Sequence, residues 1–225
     1  MKVIVFDLDE TLGYFGQLGD FINNLEDFIK KTISRKTLYT LLDIFPRVFR
    51  KDILPLIFFI KKLKKEKKIQ KIIIYTNNEA PRSWVLGIKQ YIENQFNEPL
   101  FDRIISAYKV NGIQIEKKRT TYGKTYTDLL HAANLTPNYK ALFFDDQEHP
   151  IMNHRNVDYV KVRPYIYIYS NMTSIFLKSK LATMVRNKSA FIQFMRQNFQ
   201  HSGNRHNPVK ETRRLHSRIV NFAHP

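Results

Sequence analysis

Two carboxylates near the start of the chain have the types and the spacing needed for phosphate or metal chemistry. Asp7 and Asp9 follow directly after the apolar run Val3-Ile4-Val5-Phe6. Such a run indicates a strand covered on both faces, as in a parallel sheet, and ligands of these sheets bind at the carboxyl ends of strands. Acids at i and i+2 of an extended segment point to the same side. Asp7 and Asp9 can therefore share a divalent cation, or act as nucleophile and acid on one phosphate.

The same pattern of an apolar run ending in polar residues occurs twice more. The run at 72–75 ends in Thr76, Asn77 and Asn78, and the run at 141–144 ends in Asp145 and Asp146. Because parallel strands bring their carboxyl ends to one edge of the sheet, these side chains are expected beside Asp7 and Asp9. The sequence therefore predicts one site that contains two pairs of acids and a hydroxyl.

The order of these motifs resembles that of the haloacid dehalogenase-like (HAD) phosphohydrolases, which have D-x-D-x-T, a Ser or Thr after the second strand, a Lys and a late acidic pair. Residues 7–12, D-L-D-E-T-L, look like the signature of the RNA polymerase C-terminal-domain phosphatases and the NLI-interacting-factor-like group. The segment from Lys124 to Asp146 is more similar to the magnesium-dependent phosphatase group, which also has a Phe-Phe-Asp-Asp box. The resemblance covers residues 1–163 in motif order.

This resemblance implies a Mg²⁺-dependent phosphatase and a role for each acid. Asp7 would attack phosphorus, and Asp9 would protonate the leaving oxygen and then activate water. Mg²⁺ would be held by Asp7, the backbone carbonyl of Asp9 and Asp146, with Asp145 as a supporting acid. The polymerase-domain phosphatases usually have Asp-Asn where this chain has Asp145-Asp146, which moves the resemblance toward the other group.

Phosphate binding is assigned to Thr76, Asn77 and a lysine. Lys124 is the first choice for this lysine, because it opens a predicted helix and precedes the late acids by the spacing of the magnesium-dependent group. Lys118 is the reserve choice. Gly123-Lys124-Thr125 also imitates the end of a P-loop, but that motif requires glycine where this chain has Lys118.

The fold predicted to position these residues is α/β, with a HAD-like parallel sheet flanked by helices. Residues 13–51 have helical periodicity and are interpreted as a small cap inserted after the first carboxylates; the alternative is that these helices simply pack on the sheet. Further helices are predicted at 53–68, 80–96, 125–135 and 175–199, with a hairpin at 108–115 and a last strand at 157–162.

The predicted domain ends at residue 164, and residues 165–225 are predicted to be a basic helical extension with a partly disordered tail. His131, His149 and His154 are predicted to be surface residues. A net charge of +17 on 225 residues favours an anionic partner, which is a phosphoprotein substrate, a nucleic acid or an acidic surface. Nucleic acid or another polyanion would bind through the basic C-terminal region. The alternative is a lysine-rich solvated surface without a partner.

Composition excludes several classes of protein. The chain contains no cysteine, which excludes disulfides, cysteine-ligated zinc and cysteine-nucleophile phosphatases. The sequence shows no signal peptide and no apolar run that approaches the ~20 residues needed to cross a bilayer, so an intracellular protein without a membrane partner is expected.

The function that these features favour is a protein Ser/Thr phosphatase of the polymerase C-terminal-domain type. Two alternatives stay open. One is a phosphatase of the same fold that acts on nucleic-acid 3′ ends or small esters. The other is a catalytically idle basic module that binds nucleic acid or transcription complexes.

Overall fold

The computed structural model describes residues 1–199 and 209–224, and a parallel sheet lies at its centre. The strands are β1 (Lys2–Phe6), β2 (Lys71–Tyr75), β3 (Arg103–Ile105), β4 (Lys109–Val110), β5 (Ile113–Gln114), β6 (Lys140–Asp145) and β7 (Val157–Lys161). Within the described residues, five strands form one sheet in the order β3-β2-β1-β6-β7, and each neighbouring pair is parallel. The predicted α/β fold with a parallel sheet is confirmed.

Helices cover both faces of this sheet. They are α1 (Gly16–Ile29), α2 (Arg35–Ile44), α3 (Ile53–Lys65), α4 (Arg82–Asn94), α5 (Tyr126–Ala132), α6 (Met172–Leu177), α7 (Lys188–Asn198) and α8 (Val209–Ala223). Because successive side chains of a strand point to opposite faces, β1 contributes to two cores. Ile4 and Phe6 belong to the large core that contains most helices, whereas Val3 and Val5 pack with Leu129 of α5.

The order of the strands places a crevice beside β1. The chain runs from β1 outward through β2 to β3, and then returns to the other side of β1 for β6 and β7. In open parallel sheets, ligands bind at the carboxyl ends of the strands at such a reversal point. The ends of β1 and β6 lie side by side, with Phe6 paired to Phe144. The residues that follow them are the predicted acids.

Local predictions for the middle of the chain are confirmed, with shorter elements. The helices predicted at 53–68, 80–96 and 125–135 are α3, α4 and α5. β4 and β5 form the predicted hairpin, and Asn111 and Gly112 have φ angles of 50° and 78°. Two consecutive positive φ angles are those of a type I′ turn, which Asn-Gly adopts readily.

Residues 13–51 leave the sheet and return to it at one place. The Tyr14 amide donates to the Val48 carbonyl at 2.7 Å, and the Arg50 amide donates to the Leu12 carbonyl at 2.9 Å. A Cβ atom at Gly13 would lie 2.3 Å from the Val48 carbonyl oxygen, so this close approach requires glycine. Between these ends, α1 contributes Phe21 and α2 contributes Leu41 to the same core as β1.

The residues after 164 do not form a separate appendage. Leu215 and Ile219 of α8 are fully buried in the core that also contains β1 residues, and α8 packs against α3. Within the predicted tail, residues 209–223 form a helix whose apolar residues face the core. The prediction of partial disorder stays a prediction, and residues 200–208 of the tail lie outside the described residues. The single helix predicted at 175–199 is wrong. It is interrupted between α6 and α7 by a 3₁₀ turn, and the side chain of Asn187 caps α7.

Replacing Leu215 by alanine tests whether α8 belongs to the folding unit. Truncation of a buried leucine removes apolar burial and leaves a cavity, so we expect Leu215→Ala to lower the free energy of unfolding by about 2–5 kcal/mol. The matched control is Ser217→Ala on the exposed face of α8, for which a change within about 0.5 kcal/mol is expected. Urea denaturation followed by circular dichroism measures both. Equal stability of the two variants would show that α8 does not pack on the core.

Candidate active site

A buried lysine joins the two predicted pairs of acids. Lys124 Nζ lies 2.5 Å from Asp7 Oδ1 and 2.6 Å from Asp145 Oδ2. The lysine and Asp145 are completely or almost completely buried, and Asp7 is 6% exposed. Asp7 and Asp145 stand at the ends of the neighbouring strands β1 and β6, and Lys124 immediately precedes Thr125, whose side chain caps α5. The structure thus brings the predicted nucleophile, lysine and supporting acid together.

Asp146 completes a group of carboxylates with the spacing of a metal site. Ligand atoms of Asp7, Asp145 and Asp146 all lie within 4.8 Å of one another, in the one such group found among the described residues. Thr11 Oγ1 donates to Asp146 Oδ1 at 3.3 Å, and Gln147 Nε2 donates to Asp146 Oδ2 at 2.6 Å. A donor set made only of carboxylate oxygens suits a hard divalent cation such as Mg²⁺. The residues present therefore fit the predicted ion.

Asp9 accepts a hydrogen bond from Asn78, a residue at the end of β2 to which the sequence analysis assigned no role. Asn78 Nδ2 donates to Asp9 Oδ2 at 2.7 Å, and the Asn78 amide donates to Thr76 Oγ1 at 3.0 Å. Thr76 is buried at the carboxyl end of β2, as predicted. Residues i and i+2 of an extended segment point to the same side, as assumed for Asp7 and Asp9. The same spacing places Asn78 on the side of Thr76, and it was the signal by which Asn78 could have been predicted.

The side chains of two other residues considered for phosphate binding have different partners. Asn77 is exposed, and its side-chain oxygen accepts a hydrogen bond from Arg119 Nη1 at 2.7 Å. Lys118, the reserve lysine, is exposed and donates to the Asn134 side chain at 2.6 Å. The position of Lys124 between two carboxylates distinguishes it from Lys118.

Two of the three histidines that were predicted to be surface residues are half-buried and have specific partners. His149 Nε2 lies 3.5 Å from Asp145 Oδ2, because a turn after β6 brings residue i+4 back to the acid. The His154 ring stacks on Tyr126 with a centroid distance of 3.7 Å. His131 is exposed as predicted. No periodic pattern in the sequence marks His149, since this residue lies in an irregular turn.

Burial, hydrogen bonds and neighbouring charges together shift the pKa values of the acids in opposite directions. Burial raises the pKa of Asp7 to about 7, although the charge of Lys124 opposes the rise. Burial also raises the pKa of Asp9 and of Asp146. For Asp145 burial acts in the same direction, but hydrogen bonding from His149 and the charge of Lys124 outweigh it and lower the pKa. The site therefore contains carboxyls that differ in their tendency to hold a proton.

Two buried arginines fix the loops of the site, and neither was predicted. Arg119 donates to the side chain of Asn77 and to the carbonyls of Thr76, Ser106, Tyr122 and Gly123. These groups belong to the loops after β2 and β3 and to the residues directly before Lys124. Arg119 thus holds the lysine's loop against the ends of the neighbouring strands.

Arg50 holds two other loops together on the opposite side of the site. Its Nε donates to the Thr11 carbonyl at 2.6 Å, and Nη2 donates to the carbonyls of Glu10 and Arg163 at 2.7 and 2.8 Å. Burial lowers the pKa of Arg50 to about 10. The arginine therefore ties the turn after Asp9 to the chain that leaves β7. Glu10 in this turn has a positive φ of 58°.

The fold and the site define an α/β protein with a lysine-bridged carboxylate cluster at the reversal point of its sheet. No family model matches the chain, and neither the curated proteins nor the solved structures contain a significant match to it. No helix in the described ranges is both long enough and apolar enough to cross a membrane.

The pH dependence of stability tests the electrostatics of Asp7. Because its pKa is raised, the folded chain binds more protons than the unfolded chain between pH 4 and 7 and loses stability as pH rises through this range. Asparagine does not titrate. In the presence of a chelator, we therefore expect the stability of Asp7→Asn relative to wild type to increase by about 1–3 kcal/mol between about pH 5 and about pH 8.

Asp27→Asn on the exposed surface of α1 is the control for this comparison. Its stability relative to wild type should stay constant over the same pH range. Urea unfolding at each pH measures the difference, and parallel curves for Asp7→Asn and wild type would contradict the raised pKa of Asp7.

Proposed function

We propose that the protein is a Mg²⁺-dependent phosphomonoester hydrolase of the HAD-like type, with Asp7 as the nucleophile. One observation carries the proposal. Lys124 bridges Asp7 and Asp145 at the reversal point of the sheet, while Asp146 lies within metal-sharing distance of both acids. This is the combination of acids and lysine that the sequence resemblance implies, and the fold brings it together from three separate parts of the chain.

Asp7, Asp146 and the backbone carbonyl of Asp9 are the proposed holders of Mg²⁺. When bound, the ion supplies positive charge that offsets the carboxylates and the charge of a phosphate. Lys124 supplies one positive charge to a cluster that contains Asp7, Asp9, Asp145 and Asp146. The excess of acids, together with burial, favours binding of a divalent cation at this site.

The proposed reaction has two steps. A carboxylate oxygen of Asp7 attacks phosphorus as the bond to the leaving oxygen breaks, and Asp9 gives its proton to that oxygen. Asp9 then accepts a proton from water, whose oxygen attacks phosphorus and releases Asp7 and inorganic phosphate. Burial raises the pKa of Asp9, which favours the protonated form needed in the first step.

Lys124 and Thr76 have positioning and electrostatic roles in this scheme. Lys124 orients Asp7 and stabilises the negative charge of the transition state together with Thr76 at the end of β2. Hydrolysis of phosphate monoesters is among the slowest uncatalysed reactions, so fixed positive charge contributes most of the required acceleration. The contacts of Arg119 and Arg50 keep these groups in place with little reorganisation.

For the substrate, a phosphoserine or phosphothreonine of a protein is the proposal that agrees with the sequence resemblance. Helices α1 and α2 are proposed to act as the small cap, because they line a groove that starts at Asp9. The net charge of +17 supports an anionic partner for the outer surface. An idle binding module would have no need of a buried lysine between two carboxylates, since such a cluster lowers stability when it is imperfectly paired.

Phosphate release tests the role of Asp7. Neutral asparagine can neither attack phosphorus nor contribute charge to the metal site, so we expect Asp7→Asn to lose at least about 99% of Mg²⁺-dependent hydrolysis of p-nitrophenyl phosphate. Asp27→Asn is the matched control and should keep the wild-type rate. Turnover by Asp7→Asn close to that of wild type would exclude Asp7 as the nucleophile.

Metal titration separates the roles of Asp9 and Asp146. We expect Asp9→Asn to slow turnover by ~10²-fold or more at an unchanged Mg²⁺ requirement, because its proposed metal contact is a backbone carbonyl. Asp146→Ala removes a proposed ligand and should raise the Mg²⁺ concentration needed for half-maximal activity. Identical Mg²⁺ titrations for the two variants would contradict this division of roles.

A further inference from the structure

The hairpin formed by β4 and β5 presents an apolar face to solvent. Val110 pairs with Ile113, and the Ile115 amide donates to the Tyr108 carbonyl at 2.9 Å. Because paired residues and residues at i and i+2 lie on one side of a hairpin, these four side chains share a face. Ile113 and Ile115 are 69% and 40% exposed. The rest of the described chain therefore leaves this face open.

The polar face of the same hairpin is turned toward the protein. Gln114 Nε2 donates to the carbonyls of Lys117 and Arg119 at 3.4 and 3.0 Å, in the segment that leads to Lys124. A two-stranded hairpin is stabilised when its apolar face packs on the rest of a protein. This hairpin has the reverse orientation, which forgoes the burial of its apolar side chains. Such an orientation indicates a surface that binds a partner.

Tyr122 extends the apolar face toward the loop that carries Lys124. Its ring lies 5.3 Å from the ring of Tyr108, measured between centroids, and its carbonyl accepts a hydrogen bond from Arg119 Nη2 at 2.7 Å. Tyr122 is 60% exposed, and three of the six exposed large apolar side chains among the described residues belong to this region. The hairpin surface is defined here as Tyr108, Val110, Ile113, Ile115 and Tyr122.

The hairpin leaves the sheet at the edge where the candidate active site lies. It follows the carboxyl end of β3, whereas Asp7 and Asp145 stand at the carboxyl ends of β1 and β6. Since β3 is two strands away from β1, the lateral distance is roughly 10 Å, which three or four extended residues span. A polypeptide with a phosphorylated residue in the active site can therefore reach the hairpin surface.

The exposed charges beside the hairpin surface are basic. Lys109 Nζ lies 5.0 Å from the centre of the Tyr108 ring, and Lys117 is exposed. Glu116 is the one acid in residues 103–124, and it is buried and pairs with Arg103 at 2.9 Å. The hairpin surface is thus complementary to a ligand that has both apolar and acidic groups.

The geometry of the hairpin surface favours a protein segment as this ligand. Isoleucine cannot stack on bases as aromatic rings do, so Ile113 and Ile115 offer little to a nucleic acid. A hairpin that enters a bilayer meets hydrocarbon on both faces, but the second face here carries Lys109 and Gln114. A surface that is apolar on one side only suits the side chains of another polypeptide.

We propose that the hairpin surface binds an extended acidic and apolar segment of a phosphoprotein substrate, a few residues away from its phosphoserine or phosphothreonine. Apolar side chains of the segment pack on Ile113, Ile115 and Tyr122, and its acids are attracted by Lys109 and Lys117. That this segment belongs to a substrate rests on the proposed function; the apolar and basic character of the surface does not. The protein then selects substrates by the sequence that flanks the phosphorylated residue.

Fluorescence anisotropy of labelled peptides tests this docking without turnover. Two fluorescein-labelled peptides share a central phosphoserine and carry, a few residues away on each side, either Leu-Glu-Leu or Ser-Glu-Ser. Each is titrated with the intact protein in the presence of a chelator. Because the phosphoserine and the acids are common to both peptides, the difference in affinity reports on the apolar flanks. We expect the Leu peptide to bind at least about tenfold more tightly than the Ser peptide.

Removing the two isoleucines should remove this preference. In Ile113→Ser/Ile115→Ser, the affinities of the two peptides are expected to agree within about twofold. The matched control is Ile151→Ser, which removes the same type of side chain at 66% exposure from the connection between β6 and β7, on the other side of β1. This control should keep the wild-type preference. Tyr122→Ser lies outside the strands of the hairpin and should also weaken binding of the Leu peptide.

Three results would overturn the inference. The first is equal affinity of wild type for the two peptides, and the second is a wild-type preference in both Ile113→Ser/Ile115→Ser and Tyr122→Ser. The third is binding of a 3′-phosphorylated oligonucleotide or of phosphatidylserine vesicles that is tighter than binding of the Leu peptide and is lost in the isoleucine variant. Failure of the proposed function is seen separately, as absence of Mg²⁺-dependent phosphate release from p-nitrophenyl phosphate by wild type. Because anisotropy requires no hydrolysis, docking is decided whichever result that assay gives.

Discussion

The buried ammonium of Lys124, between Asp7 and Asp145, is the contact on which the rest of the site depends. Transfer of an ion from water into a protein interior is strongly unfavourable unless opposite charges and hydrogen bonds compensate for the lost hydration. Removing any one of these three groups would leave a buried charge without its partner. The sheet satisfies this requirement because its pairing of β1 with β6 holds the two acids at adjacent strand ends.

Two buried arginines are also cations that need hydrogen-bond partners, and most of their partners are neutral carbonyls. Arg50 and Arg119 direct their guanidinium groups mainly at backbone carbonyls of loops. These loops are the turn after Asp9, the chain after β7, the loop after β3 and the residues directly before Lys124. A planar group with five donors can fix several loop carbonyls at once, which lysine cannot do. The irregular segments of the site are thereby ordered without a helix or strand of their own. Their order keeps the acids near one another despite mutual repulsion.

Much of the sheet and of the acidic cluster was predictable, because both depend on local patterns. Apolar runs followed by Asp, Thr or Asp-Asp reveal strands and their carboxyl ends, and the choice of Lys124 followed from its distance to the late acids. Asn111-Gly112 likewise determined a turn through its own backbone preference. In these cases the information lies within a few residues of the feature itself.

The features that escaped prediction depend on distant partners. Arg119 and Arg50 bind carbonyls, which every residue has, so no side-chain pattern marks their targets. His149 reaches Asp145 through an irregular turn. The charged composition of α8 suggested a solvated tail, although Leu215 and Ile219 are spaced to share one buried face. Tertiary burial outweighed composition there, because a narrow apolar stripe suffices to dock a helix.

The first strand and the last helix described here meet, since Lys2 Nζ donates to the Ala223 carbonyl at 3.2 Å. Contacts between residues that are far apart in the chain have a consequence for synthesis on the ribosome. Asp7 is made 117 residues before Lys124. At roughly 5–20 residues per second, on the order of ten seconds separate the synthesis of these two residues. β1 can pair with β2 before that interval ends, but its pairing with β6 must wait until residues 140–144 are made. The carboxylate cluster is therefore assembled late in synthesis, after much of the chain that surrounds it.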